Sequence, residues 1–398
     1  MFPALEDKVY GRPLVYLDNA ATSQRPRSVV EKWNDITLHH NANLHRAVHR
    51  LAVEATDEFE STRAAVASFI GADDPSEIVF TSGATHSLNL LAHSLTEAFC
   101  QEGDTILISE AEHHSNIVPW QLNASHKHLK IRPIAVNNKG ETDLSQLAGI
   151  LERETVRIVT IAHVSNVLGL VNPIADIADI CHAHGALLVV DGAQGVVHCD
   201  VDVRALGADF YVFSGHKIYA APGTGVLYGR RELLEQLPPY MGGGEMIERV
   251  SWEGTSFAPA PRRFEAGTQN ISGVPTLVPA LQLAQEMAGA ETDMRAIVEY
   301  MTRELRRDGR ITLYGDPTDL SDKVPLFSFS VRGAHHEDLA HILDKMGIAV
   351  RSGQMCAEPL MERFCVTGML RASFAPYNTV AEAEYFIGSL HKAIDMLT

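Results

Sequence analysis

The sequence predicts an α/β protein built on a buried, mostly parallel sheet, followed by a smaller C-terminal α+β domain. Three observations predict it. Short apolar runs alternate with helical stretches through the middle of the chain. Ser82, His113, Asn166, Asp191 and Lys217 all stand at or just after the ends of such runs, where open α/β sheets bind their ligands. A Gly- and Pro-rich stretch with little periodicity, residues 238 to 270, then separates this region from a different pattern.

The elements follow in order. A helix is expected near 27 to 40, able to pack on either domain. "EIVFTSG" reads as a strand and "ATHSLNLLAHSLTEAF" as the helix after it. "DTILIS", "IRPIAV" and "VRIVTIAHVSN" read as strands. "PIADIADICHAHG" is helical, and "ALLVVDGAQ" is a strand ending at Asp191. "ADFYVFSG" and "GTGVLYG" complete the set. Beyond the 238–270 connection, "VPTLVPALQLAQEMAG" and residues 291 to 307 are helical. "VPLFSFSVRG" and "IAVRSG" read as strands around a helix, "HHEDLAHILDKMG". The last helix, "TVAEAEYFIGSLHKAIDML", opens with Thr379 and Glu382 in a capping-box spacing. The large domain is expected over 15–260. Residues 1–14 and 261–398 form the small-domain region, with an interdomain helix and the Cys356 segment.

Composition bounds the function. The 398 residues are 45% apolar, enough for a large core. Fifty acidic against 33 basic residues give a net charge of −17, which argues against nucleic acid or a membrane surface as a general partner. The opening stretch lacks a basic region before an apolar core, so no signal peptide is expected. No run reaches the roughly 18 apolar residues of a membrane span. The five cysteines are sparse, and none forms a CxxC pair. This fits a reducing, cytoplasmic setting.

The chemistry starts at Lys217 in "SGHK". A lysine sheltered from water can lose its proton and act as a base or imine former; alone, it is as easily a solvated corner. Asp191, after the very apolar "ALLVV", can cap a turn or pair with a cationic ring nitrogen. Together the two are what pyridoxal phosphate needs, an amine for its aldehyde and an acid for its pyridine nitrogen. The amides and hydroxyl of "TSGAT", through Ala84 to Thr85, can hold a phosphate at a helix start or merely cap it. Ser214 and His216 flank the lysine and can join the same anion. Gln194 can donate to a ring oxygen, and Asn166 can reach the same side. Of the pair His113–His114, one imidazole can stack on a flat cofactor; no spaced partners complete a metal set. Cys356, in "RSGQMCAEPLM", lies in a turn-like stretch near Arg351, whose charge would favour the thiolate. Cys365, among apolar residues, reads as structural. Arg371 can clamp a carboxylate or make a salt bridge.

With these pieces in place, the chain resembles the pyridoxal-phosphate-dependent cysteine desulfurases of the second class, relatives of the selenocysteine lyases. The matching runs are "YLDNAAT", "NLHRAVH", "VFTSGAT", "EHHSNIVPW", "HVSNVLG", "VDGAQGVVH", "DFYVFSGHK", "GTGVLYG", "RFEAGTQN", "RSGQMCAEPLM" and "LRASFAPYNT", in the family order over nearly the whole length. "VTGMLRASFAPYNT" carries a closer likeness to the bacterial subgroup, including cysteine sulfinate desulfinase-like enzymes, that works beside a small sulfur-acceptor protein. The resemblance implies the aspartate-aminotransferase type of fold (fold type I), with a seven-stranded sheet, and a homodimer with its sites at the interface. It implies that Lys217 holds the cofactor aldehyde, Asp191 the pyridinium and Gln194 the ring oxygen, while His113 stacks and helps move a proton. Ala84, Thr85, Ser214 and His216 would hold the phosphate, joined by Thr268 of the partner subunit. Asn166 would contact the substrate carboxylate or ring, and Arg371 would grip that carboxylate. Cys356 would take the sulfur of L-cysteine, leaving L-alanine, and a SufE-type protein would collect it for iron-sulfur clusters or other products. His45 and Arg46 match a segment near the substrate entry. Gln354-Met355 departs from the histidine or other polar residue that relatives often carry before the cysteine, and "NISGVP" from a more glycine-rich version. Neither touches the lysine, acid or cysteine. The alternatives are a selenocysteine lyase or cysteine sulfinate desulfinase on the same fold, an aminotransferase, or a non-catalytic sulfur-carrier scaffold.

Overall fold

The computed structural model describes residues 1–45, 47–288 and 291–398. Its centre is a seven-stranded sheet. Along the sheet the strands run Ile78–Thr81, Gly225–Gly229, Phe210–Ser214, Leu187–Asp191, Val156–Ala162, Thr105–Ser109 and Lys130–Ile134. Gly225–Gly229 is antiparallel to both neighbours, and the other pairings are parallel. Six carboxyl ends therefore share one edge of the sheet, and the candidate residues follow five of them.

The sheet is apolar on both faces, as a parallel sheet covered by helices must be. Successive side chains go to opposite cores. Phe80, Leu107, Val159, Ile161, Val190, Tyr211 and Phe213 enter one; Val79, Ile106, Ile108, Ile158, Val189, Phe210 and Val212 enter the other. Helix Arg27–His39 contributes Val29 to the first of these, which resolves where it packs.

A second, four-stranded antiparallel sheet follows in the order Ile311–Tyr314, Leu326–Val331, Met369–Ser373, Arg351–Gly353. Helices Glu291–Arg307, His336–Lys345 and Val380–Leu397 pack with it around a separate core. The last helix has the Thr379–Glu382 capping box complete. Packing crosses the expected 15–260 and 261–398 division at both seams. Val15 and Leu17 join the second core, and Val274 to Leu283 the first.

Several elements differ from expectation, and for three of them the physical reason is plain. "IAVRSG" is two strands, not one. Ile348–Ala349 pairs in parallel with Val15–Tyr16, whereas Arg351–Gly353 pairs with Met369–Ser373. The N-terminal segment thus captures half of the run. Residues 238–270 hold a hairpin, Ile247–Ser251 with Gly254–Phe257, with all but Ile247 exposed. A ribbon with no inward face leaves no alternating signal. Helix Arg50–Phe69 lies outside the expected elements. Its buried positions, 52, 55, 59, 62, 63, 66 and 67, have helical spacing, but they carry Ala52, Ala55, Phe59, Thr62, Arg63, Val66 and Ala67. Small and polar occupants hide the stripe.

No helix among the described residues is long and apolar enough to cross a membrane.

Candidate active site

A cavity opens where the carboxyl ends of the large sheet meet the small sheet. Lys217, Asp191, His113, Ala84, Thr85, Ser214, His216, Gln194, Asn166, Arg371 and Cys356 line it together. Ala84 and Arg371, 287 positions apart in the chain, both reach it.

Lys217 closes a short 3-10 turn, Gly215–Lys217, after strand Phe210–Ser214. The turn is held by the carbonyl of His216, which accepts from Ser23 N at 3.2 Å, Ser23 Oγ at 3.1 Å and Arg25 Nη1 at 3.0 Å. The "NAATSQR" segment thus braces the lysine through backbone rather than through its amine. Burial pushes Lys217 toward the neutral amine; Asp191 opposes this, and Arg371 reinforces it. Asp191 is buried at the end of its strand. Its Oδ1 accepts from Ala193 N at 2.9 Å, and burial raises its pKa against the pull of Lys217.

The anion cradle is the start of helix Ala84–Phe99. The Ala84 amide donates to Ser214 Oγ at 2.8 Å, and Thr85 Oγ1 sits 2.7 Å from Ser115 Oγ. The amides of Thr85 and His86 have no acceptor among the described residues, as expected at a helix start open to an anion. Gly225 is required beside it, since a Cβ there would lie 2.3 Å from Gly83 N. His216 is kept neutral, its pKa pushed down to about 4 by burial and by Lys217.

His113 is driven the same way, to about 4, first by burial and then by Lys217. Its Nδ1 accepts from Ser115 N at 3.1 Å, so the proton of the neutral ring is on Nε2. Behind it stands Glu112, fully buried, which accepts from Asn116 Nδ2 at 2.6 Å and from Ala162 N at 2.9 Å. These bonds fasten the His113 segment to strand Val156–Ala162. Burial pushes the Glu112 carboxyl up to about 8.

Arg371 is 2% exposed. Its Nη1 donates to Asn166 O at 2.8 Å and its Nη2 to Asp18 Oδ1 at 3.1 Å. Its Nε is buried with no acceptor among the described residues. Asp18 also binds Arg351, with Nε at 3.0 Å and Nη2 at 3.0 Å. The expected influence of Arg351 on Cys356 is therefore shared with a carboxylate already in place.

Cys356 is exposed, in a turn between strand Arg351–Gly353 and helix Glu358–Arg363. Met355 and Cys356 have φ of 54° and 55°. The left-handed region costs an L-residue roughly 1–2 kcal/mol, so two in succession need outside support. Asn166 gives some of it, its Nδ2 donating to Met355 O at 2.9 Å. That bond occupies a donor expected to serve the ring or the substrate. Gln194 is likewise engaged, with Nε2 donating to Ala20 O at 2.7 Å.

Two expected residues are not brought to this cavity. His45 turns to Glu60, with Nε2 and Oε1 3.6 Å apart, and packs edge-on against Phe59. Arg46 lies outside the described residues. Thr268 is exposed and away from the lining. Its "FEAGT" segment is anchored by Glu265, which takes Arg63 in two bonds of 2.7 and 2.9 Å and also accepts from Phe80 N. Cys365, expected among buried side chains, is exposed with φ of 55°. No group of three or more His, Cys, Asp or Glu is arranged for a metal ion among the described residues. Asp18, Glu112 and Ser115 escaped the sequence reading: their roles rest on contacts that no local motif announces.

The amine, buried acid, anion cradle and flat imidazole fit a phosphorylated aromatic aldehyde, and the comparisons agree. The sequence profile of the class-V aminotransferases matches residues 15–386, and the chain belongs to that family. Within it, similar proteins include desulfurases. A probable cysteine desulfurase of Vibrio cholerae is 46% identical over 398 residues, covering 100% of this chain and 97% of that protein. A cysteine desulfurase of Dickeya dadantii is 42% identical, covering 98% and 94%. Among solved structures, the cysteine desulfurase CsdA of Escherichia coli, in an S-sulfonic acid form, superposes with a TM-score of 0.90 at 36% identity, covering 100% of this chain and 97% of that one. The apo cysteine desulfurase of Thermococcus onnurineus gives 0.92 at 38%, covering 99% and 98%. The fold is fold type I, with its large sheet and smaller C-terminal sheet unit.

Proposed function

We propose that this chain is a pyridoxal-phosphate-dependent cysteine desulfurase. It converts L-cysteine to L-alanine, takes the sulfur onto Cys356 as a persulfide and passes it to a protein acceptor. The observation that carries this reading is one cavity lined by Lys217, Asp191, Arg371 and Cys356. An aminotransferase has no use for the thiol.

Lys217 would hold the cofactor aldehyde, Asp191 its ring nitrogen and Gln194 its ring oxygen. Ala84, Thr85, Ser214 and His216 would hold the phosphate, completed by Thr268 of the partner subunit in a homodimer. The exposure of Thr268 in the single chain accords with delivery to another copy. Bound pyridoxal phosphate supplies the electron sink that lets the substrate Cα release its proton. Lys217, biased toward its neutral form, would take and return that proton. His113 stacks on the ring and offers the proton on its Nε2. Arg371 grips the α-carboxylate; Asn166 and Asp18 hold its guanidinium. His45 and Arg46 are assigned to the entry segment.

Cys356 Sγ, as thiolate, attacks the sulfur of the substrate. The new S–S bond forms as the substrate C–S bond breaks, and that electron pair stays on Cβ, which is then protonated. The balance is cysteine plus thiol giving alanine plus persulfide. A thiol acceptor must then collect the sulfur, and a small SufE-type protein in the cytoplasm is the proposed partner. All five cysteines are free, in keeping with a reducing compartment.

The test is direct. Purified, cofactor-loaded protein given L-cysteine is expected to form one alanine per sulfur retained. Peptide mass spectrometry without reductant should place that sulfur on Cys356. Sulfur on another cysteine, or alanine with none retained, overturns the reading. A second expectation concerns the clamp. Arg371→Lys loses the planar fork and should lower kcat/KM for L-cysteine by about 100-fold, close to 2.7 kcal/mol, mostly through KM. Steady-state alanine assays measure it, and an unchanged KM removes Arg371 from the carboxylate.

A further inference from the structure

His113 has a role in this reading, but the residue beside it does not. The structure gives His114 a different task. Its backbone amide donates to Cys356 O at 2.7 Å. Its imidazole Nε2 accepts from Glu358 N at 3.0 Å. Glu358 begins the helix after the turn, so one residue grips the Cys356 turn on both sides of Ala357. The Nε2 atom accepts, so the ring proton is on Nδ1. A further long-range tether is Asn166 on Met355 O. Two successive left-handed residues, Met355 and Cys356, do not hold such a shape unaided.

We propose that His114 is a positioning residue for the sulfur-accepting thiol. Its two bonds fix the Cys356 turn against the segment that carries His113, so the stacking ring and the thiol are set by adjacent residues of one short stretch. The distance from substrate sulfur to Cys356 Sγ is thereby built into the 113–114 backbone and does not depend on a loop closing. This inference rests on Cys356 being the acceptor of the desulfurase reading.

The test compares His114→Ala with His114→Gln in the cofactor-loaded protein. The Gln carbonyl extends about as far as Nε2 and can accept from the Glu358 amide; Ala cannot. Two rates are followed after L-cysteine is added: the absorbance change of the bound cofactor, and persulfide on Cys356 by quenched-flow mass spectrometry. In His114→Ala, persulfide formation is expected to slow at least tenfold while the absorbance change stays within about threefold. Iodoacetamide should alkylate Cys356 several-fold faster without substrate, since the tie from the ring to the Glu358 amide is lost. His114→Gln should restore all three to within about threefold of wild type. If His114→Ala does not fold, His114→Asn, whose amide falls short of Glu358, takes its place. Equal slowing of both rates, no slowing, or no rescue by Gln overturns the proposal. Wild-type persulfide found elsewhere than Cys356 would instead overturn the desulfurase assignment itself, so the two failures are distinguishable.

Discussion

Lys217→Ala abolishes turnover of L-cysteine, lowering alanine formation by at least about 1,000-fold, the scale expected when a covalent and acid–base group is removed. Borohydride no longer fixes the cofactor to the chain. The size of the effect follows from the cavity, where Lys217 is the one amine in the lining among the described residues, so nothing takes its place. The protein should still fold. The Gly215–Lys217 turn is fastened through the His216 carbonyl to Ser23 and Arg25, and these bonds do not involve the amine. The cofactor should remain, more weakly, on Asp191 and the helix start at Ala84. Borohydride trapping equal to wild type in this variant would remove Lys217 from the role.

Cys356→Ala separates the other half of the reaction. Persulfide on residue 356 disappears, and alanine formation falls by about 100-fold or more, because no other thiol lines the cavity among the described residues. Cofactor content and its spectrum are retained, since the groups assigned to ring and phosphate lie on the large sheet. Stability should shift by no more than about 0.5 kcal/mol, because the side chain is exposed. Paired spectra and peptide mass spectrometry before and after L-cysteine make the measurement. A variant that still accumulates one sulfur per chain would sink the assignment. Undiminished alanine formation would favour a substrate whose leaving group needs no protein thiol.

The two experiments probe what was legible in the sequence to different depths. Strand-end residues were readable because a buried parallel strand is a continuous apolar run, and its end is where polarity begins; Asp191 after "ALLVV" is the clearest case. Lys217, Ser214 and His216 needed only the same rule. The hairpin at 247–257 was not readable, since its ribbon buries almost nothing, and helix Arg50–Phe69 was veiled by alanines and a buried Arg63. Asp18 binds Arg351 across 333 positions, a pairing that neither segment signals. Glu112 and His114 lay inside a recognised motif, yet their work is done on Ala162 and on the Cys356 turn, far away in sequence. Thr268 sits outside the cavity of a single chain, as it must if it serves a neighbouring copy, whereas His45 turns to Glu60.

Arg351 and Arg371 are cross-strand partners in the four-stranded sheet, bridged by Asp18, and the Cys356 turn leaves the same strand as Arg351. The groups assigned to hold the amino acid by its carboxylate and to receive its sulfur therefore ride on one rigid plate, while Lys217 belongs to the other. The gap between handle and hook is set by that sheet together with the bonds from Asn166 and His114 that tie the turn to the large-sheet side. The width of the gap would then select substrates by the number of bonds between carboxylate and sulfur, so a homologue one methylene longer should be held yet miss its target.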